Sequence, residues 1–408
     1  MLTDLIRERG PMTVAAFMDL ALYDPEFGYY ARASRRSGRA GDFFTSIDVG
    51  ALFGELLAVQ VAEMATLLTP ITAERAEPAE TSSSSARPFE LVEAGAGDGR
   101  LSADILRAAR LHHPDVYDRA RLHLVEASAA ARGAQRATLG EAAARLETST
   151  PELPSSFEGI LLANELLDAM PVHQVVMRDD GLHETYVSAD RRLVLREGPL
   201  STPALTDYLK RLNVSLEPGW RVEINLCAVD WVRDAARRLR RGFIVLIDYG
   251  HEARELYSIA HASGTLATFS RHTTQGAEST RSNAPWLCRP GQQDITAHVD
   301  FTSVRAAAEE AGLVTLGFLD QTYFLLGLAA SVPNLLDTPN LADVPNLADV
   351  PNLANAPNLA ISPNLKRRLA LKTLVMPGGL GSTMKVLILG KGVGAPVLRG
   401  CSFRTRAT

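Results

Sequence analysis

Apolar and polar positions follow two rhythms along this chain. Apolar runs of strand length occupy residues 89–94, 122–126, 159–163, 243–248, 314–319 and 384–389. Between them lie stretches of helical spacing, including 101–109 and 230–241. Strands alternating with helices predict an α/β fold, a parallel sheet covered on both faces. A period-two stretch over 172–197, broken at Asp179-Asp180-Gly181, predicts a β-hairpin insertion laid over the sheet edge. The first 65 or so residues mix helix and loop and are rich in aromatics, which suits a helical cap rather than a sheet core.

Two segments break the rhythm. Residues 72–87 carry Glu74, Glu77, Pro78, Glu80 and a serine run without apolar periodicity, which reads as a flexible surface loop. The second is a repeat, with prolines at 333, 339, 345, 351, 357 and 363, each followed by Asn-Leu. A hexapeptide β-helix is one reading. The array is short, however, and each proline removes a backbone donor, so an extended surface loop over 333–365 is favoured. The expected division is a cap at 1–71, the loop at 72–87 and a first core half at 88–171. An inserted hairpin and helical region follows at 172–241, then a second core half at 242–332. The repeat loop at 333–365 precedes a last helix and strand at 366–408.

Hydrophobic residues make up 46% and charged residues 22%, which excludes disorder over most of the length. A net charge of −5 excludes a strong overall attraction to DNA or anionic lipid. The basic helix around Arg233, Arg237, Arg238, Arg240 and Arg241 reads as a solvated face. Cys227, Cys288 and Cys401 stand far apart and offer neither a disulfide framework nor a zinc ribbon. No apolar run reaches membrane length, and the amino terminus has neither a secretory nor a typical presequence pattern. The expectation is a cytoplasmic protein.

The most informative segment is Leu91-Val-Glu-Ala-Gly-Ala-Gly-Asp-Gly-Arg-Leu101. Gly95, Gly97 and Gly99 let a ligand approach the backbone where no Cβ intervenes. The dinucleotide fingerprint requires glycine at position 100, where Arg100 stands. Alternate glycines after an acid fit the turn that binds S-adenosylmethionine (SAM), and anionic Glu93 would favour its cationic end. Glu126 closes the next strand, where an acid accepts hydrogen bonds from ribose hydroxyls. Further on, Asn164 and Glu165 follow an apolar strand and should emerge at the carboxyl edge, where ligands bind in open α/β sheets. Asp168 is expected on the same side of a following helical turn, so that two acids face a cationic acceptor. The bland alternative is a helix start capped by Asn164.

These residues carry a resemblance to the MidA-like family of SAM-dependent methyltransferases. It runs through Tyr23-Asp-Pro-Glu-Phe-Gly-Tyr-Tyr30, Gly41-Asp-Phe-Phe-Thr-Ser46, Phe53-Gly-Glu55 and the turn from Glu93 to Gly99. Ala163-Asn-Glu-Leu-Leu-Asp-Ala-Met-Pro171, Ile247-Asp-Tyr-Gly250, Asp294-Ile-Thr-Ala-His-Val-Asp-Phe301 and Met384-Lys-Val-Leu387 continue it. Thr45-Ser-Ile-Asp-Val-Gly50 departs from the family's Thr-Ser-Pro-Glu-Ile-Ser, and Ala96 from its Gly-Pro-Gly. The resemblance implies a Rossmann-like class I sheet of seven strands with the last reversed. It implies SAM as cofactor, held by Glu93, Gly95, Gly97, Gly99, Glu126 and Asn164, with Asp42 and Thr45 in the covering cap. Asn164, Glu165 and Asp168 are the candidate catalytic residues. The implied acceptor is an arginine on a partner protein, a subunit of respiratory complex I in the family's mitochondrial member.

Three rival readings remain at this level. They are a methyltransferase for a small molecule or nucleic acid, a SAM-binding assembly chaperone with little turnover, and a nicotinamide oxidoreductase, which Arg100 disfavours. His173, His251, His272 and His298 are general-base or ligand candidates. Asp294, His298 and Asp300 form too weak a signature, so no metal is assigned. A protein substrate is expected, no membrane contact, and a homodimer is left open.

Overall fold

The computed structural model describes residues 2–32, 45–69, 87–270, 273–275, 284–332, 363–376 and 383–403. Its main sheet runs through β1 (Phe89–Ala94), β2 (Ala120–Val125), β3 (Leu146–Thr150) and β4 (Phe157–Asn164). It continues with β5 (Leu239–His251), β6 (Val314–Asp320) and β7 (Met384–Lys391). The spatial order is β3-β2-β1-β4-β5-β7-β6. Neighbours from β3 to β5 are parallel, whereas β7 runs antiparallel to both β5 and β6. These seven strands make the Rossmann-like class I sheet with its last strand reversed, and the two-residue strand Val299–Asp300 pairs with the end of β5 as an eighth.

The central strands are apolar throughout because both of their faces are covered. Along β4, Ile160 and Leu162 point to one face and Leu161 and Ala163 to the other. The first face packs with Leu91, Val245 and Ile247 beneath helices Leu52–Leu67 and Arg100–His112. The second packs with Val92, Ile244 and Leu246 beneath helices Leu226–Arg238 and Phe301–Glu310. A side chain such as Ile160, fully buried here, gains about 1.5–3 kcal/mol from leaving water.

Several expectations change. β3 has no signature in the sequence, because Leu146-Glu-Thr-Ser-Thr150 is an edge strand, partly exposed and mostly polar, with no apolar run. The inserted hairpin is only part of a larger element with its own hydrogen-bonded sheet. Strands His173–Arg178, Gly181–Ala189, Leu193–Gly198 and Arg221–Ile224 make a separate antiparallel sheet, which Met12–Thr13 joins. Val172, Val187, Leu193 and Leu195 pack on Val14, Phe17 and Met18 of helix Val14–Tyr23. The amino-terminal region is therefore split, since helix Leu52–Leu67 belongs to the main sheet. The helix expected at 230–241 starts earlier, where Asn225 accepts from the Ala228 amide (2.8 Å). Asp300 caps helix Phe301–Glu310, accepting from the Thr302 and Ser303 amides. The proline array largely lies outside the described residues, but Pro363 opens helix Pro363–Val375, as proline does at a first helical position.

Candidate active site

The turn after β1 has three glycines at positive φ, 71° at Gly95, 53° at Gly97 and 87° at Gly99. The Gly95 and Ala96 amides donate to the Val125 carbonyl (2.9 and 3.1 Å), which ties the turn to the end of β2. A Cβ built on Gly97 meets nothing within 4 Å, so this part of the turn faces open space. Glu126 braces it from the side. Its Oε2 accepts from the Gly97 amide (2.9 Å) and its Oε1 from the Ser128 amide (2.7 Å). Each carboxylate oxygen has a second lone pair to offer a ribose diol.

Glu93 is placed differently from expectation. It is buried, and its Oε2 accepts both the Ser102 amide (3.1 Å) and the Ser102 hydroxyl. Burial pushes its carboxyl up to about 7, against the lowering effect of the Ser102 bonds. Its visible work is to pin β1 to the helix that follows the turn. Arg100, the residue that spoils the dinucleotide fingerprint, pairs with Asp48 (2.8 Å). Asp48 also accepts from the Thr45 amide (3.1 Å) and hydroxyl (3.0 Å). Thr45 thus closes the turn before Leu52–Leu67 and reaches the glycine turn through Arg100. Asp42 lies outside the described residues.

The acids after β4 converge, but not on a helix. Glu165 has φ of 53°, a left-handed conformation that a non-glycine residue rarely adopts, and the chain after it bends instead of coiling. Asn164 is therefore no helix cap. The bend is held by backbone and by Asp248, from the carboxyl-terminal part of β5. The Glu165 amide donates to the Ile247 carbonyl (2.8 Å), and the Leu166 and Leu167 amides donate to Asp248 Oδ2 (3.1 and 2.7 Å). The Ala297 amide donates to the Asp168 carbonyl (2.9 Å).

The result is a cluster of carboxyl groups in poor contact with water. Burial raises Glu165 to about 8, with the Asp248 charge adding to it. Burial raises Asp168 well above the usual carboxylate range, and Asp248, Glu165 and Asp294 push it further. Asp248 is raised to about 7 by burial, against four backbone hydrogen bonds, from Leu167, Tyr249, Asp168 and Leu166. Asn164 donates to Glu165 Oε1 (3.1 Å), while its own Oδ1 is buried with no hydrogen-bond partner. Tyrosines close the far side. The Tyr23 hydroxyl donates to the Ala169 carbonyl (3.0 Å), the Tyr30 hydroxyl donates to Asp294 Oδ1 (3.0 Å), and the two rings stack.

Asp248 and Tyr23 stand in the sequence motifs without a site role, and Asp294 stands there only as part of a weak metal signature. Asp248 had a readable signal, an acid closing an apolar run, with the preceding Ile247 opposite Asn164 in the sheet register. Asp294 and Tyr23 had none, since nothing local says that distant segments meet. The spaced trio of Asp294, His298 and Asp300 does not assemble, because Asp300 turns to Tyr208 (2.8 Å) and Ser303 (2.7 Å). His173 pairs with Glu184 (2.7 Å) in the separate sheet, and His272 lies outside the described residues.

Comparison with known proteins decides the family and the cofactor. The model of a family described as S-adenosyl-L-methionine-dependent methyltransferases matches residues 57–319. The chain belongs to that family. This methyltransferase is 30% identical to the mitochondrial protein arginine methyltransferase NDUFAF7 of Mus musculus, over 81% of this chain and 74% of that one. The Homo sapiens protein of the same name is 28% identical over the same shares. A crystal structure from Burkholderia thailandensis, bound to S-adenosyl-homocysteine, superposes with a TM-score of 0.80 at 28% identity. It covers 100% of this chain and 94% of that one. The cofactor is SAM, and the site fits it: an open glycine cradle, a carboxylate with lone pairs to offer and an unpartnered buried amide oxygen. The expectation of a cytoplasmic protein is overturned, because these relatives are named mitochondrial. Among the described residues no helix is long and apolar enough to cross a membrane.

Proposed function

We propose that the methyltransferase modifies an arginine side chain of a partner protein, with Asn164, Glu165 and Asp168 at the reacting centre. The observation that carries this reading is the convergence of Glu165, Asp168, Asp248 and Asp294 beneath Tyr23 and Tyr30. Water-poor carboxyl groups with raised pKa values are costly to ionise alone and ionise readily against a permanent cation. A guanidinium is such a cation, and two carboxylates grip its planar fork while leaving one nitrogen to be aimed. The names of the relatives support a protein acceptor, and the motif resemblance supports a respiratory complex I subunit.

Gly95, Gly97, Gly99 and Glu126 hold the cofactor in this reading, which when bound supplies an electrophilic methyl on a sulfonium. Asn164 Oδ1 accepts a hydrogen bond from an N–H of donor or acceptor. Glu165 and Asp168 fix the guanidinium plane so that its attacking nitrogen lies in line, and such positioning supplies several kcal/mol of the barrier. The nitrogen that gains the methyl gives up one proton, which Glu165 takes. Tyr23 and Tyr30 shut out water, which keeps the ion pairs strong.

The test is to incubate the purified chain with labelled SAM and a mitochondrial extract, then map methylated residues by mass spectrometry. Methylarginine in the native reaction, absent with Glu165→Gln, is the expected result. Label on a small molecule or nucleic acid instead would overturn the acceptor assignment. SAM binding without any transfer would favour the chaperone reading.

A further inference from the structure

His251, His261 and His298 come from three separate segments, the end of β5, a short turn at Ile259–His261 and the residue before Val299–Asp300. One ring nitrogen from each lies within 4.8 Å of the other two. The ring centroids are 4.8, 5.2 and 6.0 Å apart. Stacking of aromatic core residues does not account for the polar atoms, because His298 Nδ1 is buried without a hydrogen-bond partner. Nor do the three rings serve the acid cluster, whose hydrogen bonds run to backbone amides, Asn164 and tyrosines.

We propose that His251, His261 and His298 form a binding site for a divalent transition cation, zinc in kind, that braces the acceptor loop. Three imidazoles are a ligand set for zinc, copper or nickel and a poor one for magnesium or calcium. Zinc–nitrogen bonds of about 2.0–2.1 Å require the rings to draw together from their present spacing. The outer contacts match what metal-bound histidines use. His251 Nδ1 lies 3.0 Å from the Glu255 carboxylate, and His261 Nδ1 lies 3.1 Å from the Glu255 carbonyl. The His261 hydrogen bond fixes its tautomer and leaves the other ring nitrogen as ligand, whereas the Glu255 carboxylate stands beside His251 at ion-pair distance without hydrogen-bond geometry. All three histidines are only half-buried, so the cation can enter and solvent can complete its coordination.

The location gives the cation a task. His251 follows Asp248 by three residues on β5, and Asp248 holds the Leu166 and Leu167 amides. His298 follows Ala297, whose amide holds the Asp168 carbonyl. A cation joining His251 to His298 therefore clamps both supports of the bend that presents Glu165 and Asp168. The assignment of the metal does not depend on which acceptor is methylated.

The test uses the full chain without a histidine tag, stripped with EDTA and titrated with Zn(II) by calorimetry and with Co(II) by visible absorption. One saturable equivalent per chain, a rise in melting temperature with zinc and a ligand-field spectrum with cobalt are expected. His261→Ala should abolish all three while SAM binding, measured by calorimetry, persists and shows that the fold is intact. Glu255→Gln should weaken zinc binding about tenfold, the cost of losing an outer-shell partner. Absence of saturable binding, or binding that is unchanged in both variants, would overturn the proposal.

Discussion

At the scale of single residues, the glycine turn makes the sharpest claims. Gly97 has open space where a Cβ would stand, yet its φ of 53° disfavours any other residue, and in the proposed reading SAM takes that space. Gly97→Val is expected to abolish SAM binding by calorimetry while far-UV circular dichroism stays native. Unchanged affinity would move the cofactor elsewhere. Glu126→Ala should weaken SAM by roughly 1–3 kcal/mol, the value of hydrogen bonds to a charged group. Part of that loss is the turn itself relaxing, since Glu126 also holds the Gly97 amide. Ionisation of the acids sets a pH dependence whose sign is fixed. Glu165 rises from 4.5 to about 8 and Asp248 from 3.8 to about 7 on folding. A raised carboxyl binds its proton more tightly when folded, so its contribution to stability is full below pH 4.5 and is lost as pH climbs towards 8. Melting temperature should fall across that window, and Glu165→Gln should flatten the fall. A melting temperature that rose with pH between those limits in the native chain, and equally in the variant, would contradict the burial of these groups.

Among the elements, the bend between β4 and the separate antiparallel sheet is the part most dependent on its neighbours. Glu165 cannot rest in a left-handed conformation on its own preference, at a cost of about 1–3 kcal/mol. Its amide bond to Ile247 and the Asp248 bonds to Leu166 and Leu167 supply the compensation. Asp248→Ala should therefore lower methylation far more than SAM affinity, because it releases the acceptor acids and leaves the glycine turn untouched. Equal loss of both activities would show that β5 supports the cofactor side as well. The misplaced helix after Asn164 has the same origin. Leu162-Ala-Asn-Glu-Leu-Leu-Asp168 has helical spacing and a capping residue, and only the carboxylate of a strand distant in sequence draws it into a bend.

On the scale of the whole molecule, two layers meet at the carboxyl edge of the main sheet. The separate antiparallel sheet carries helix Val14–Tyr23 on its apolar face, and so brings Tyr23 and Tyr30 to the segment after β4. An aromatic wall from one layer thus closes an acidic floor from the other. Removing residues 333–362 is expected to leave melting temperature and SAM affinity nearly unchanged, because a proline every six residues withdraws donors that a packed element needs. A large drop in either on calorimetry would mean that the array packs on the core.

The sequence alone determined the alternation of strands and helices, the glycine turn, Glu126 at the end of β2 and the acids after β4. Each of these is local. Apolar runs, missing side chains and acids at strand ends are written in consecutive residues. Tertiary structure decided that Glu93 turns to Ser102, that Arg100 meets Asp48 and that Asp248 and Asp294 join Glu165 and Asp168. It also gathered three histidines that no spacing connects. These pairings cross between segments far apart in the chain, and only the order and register of the strands determine which side chains share a site.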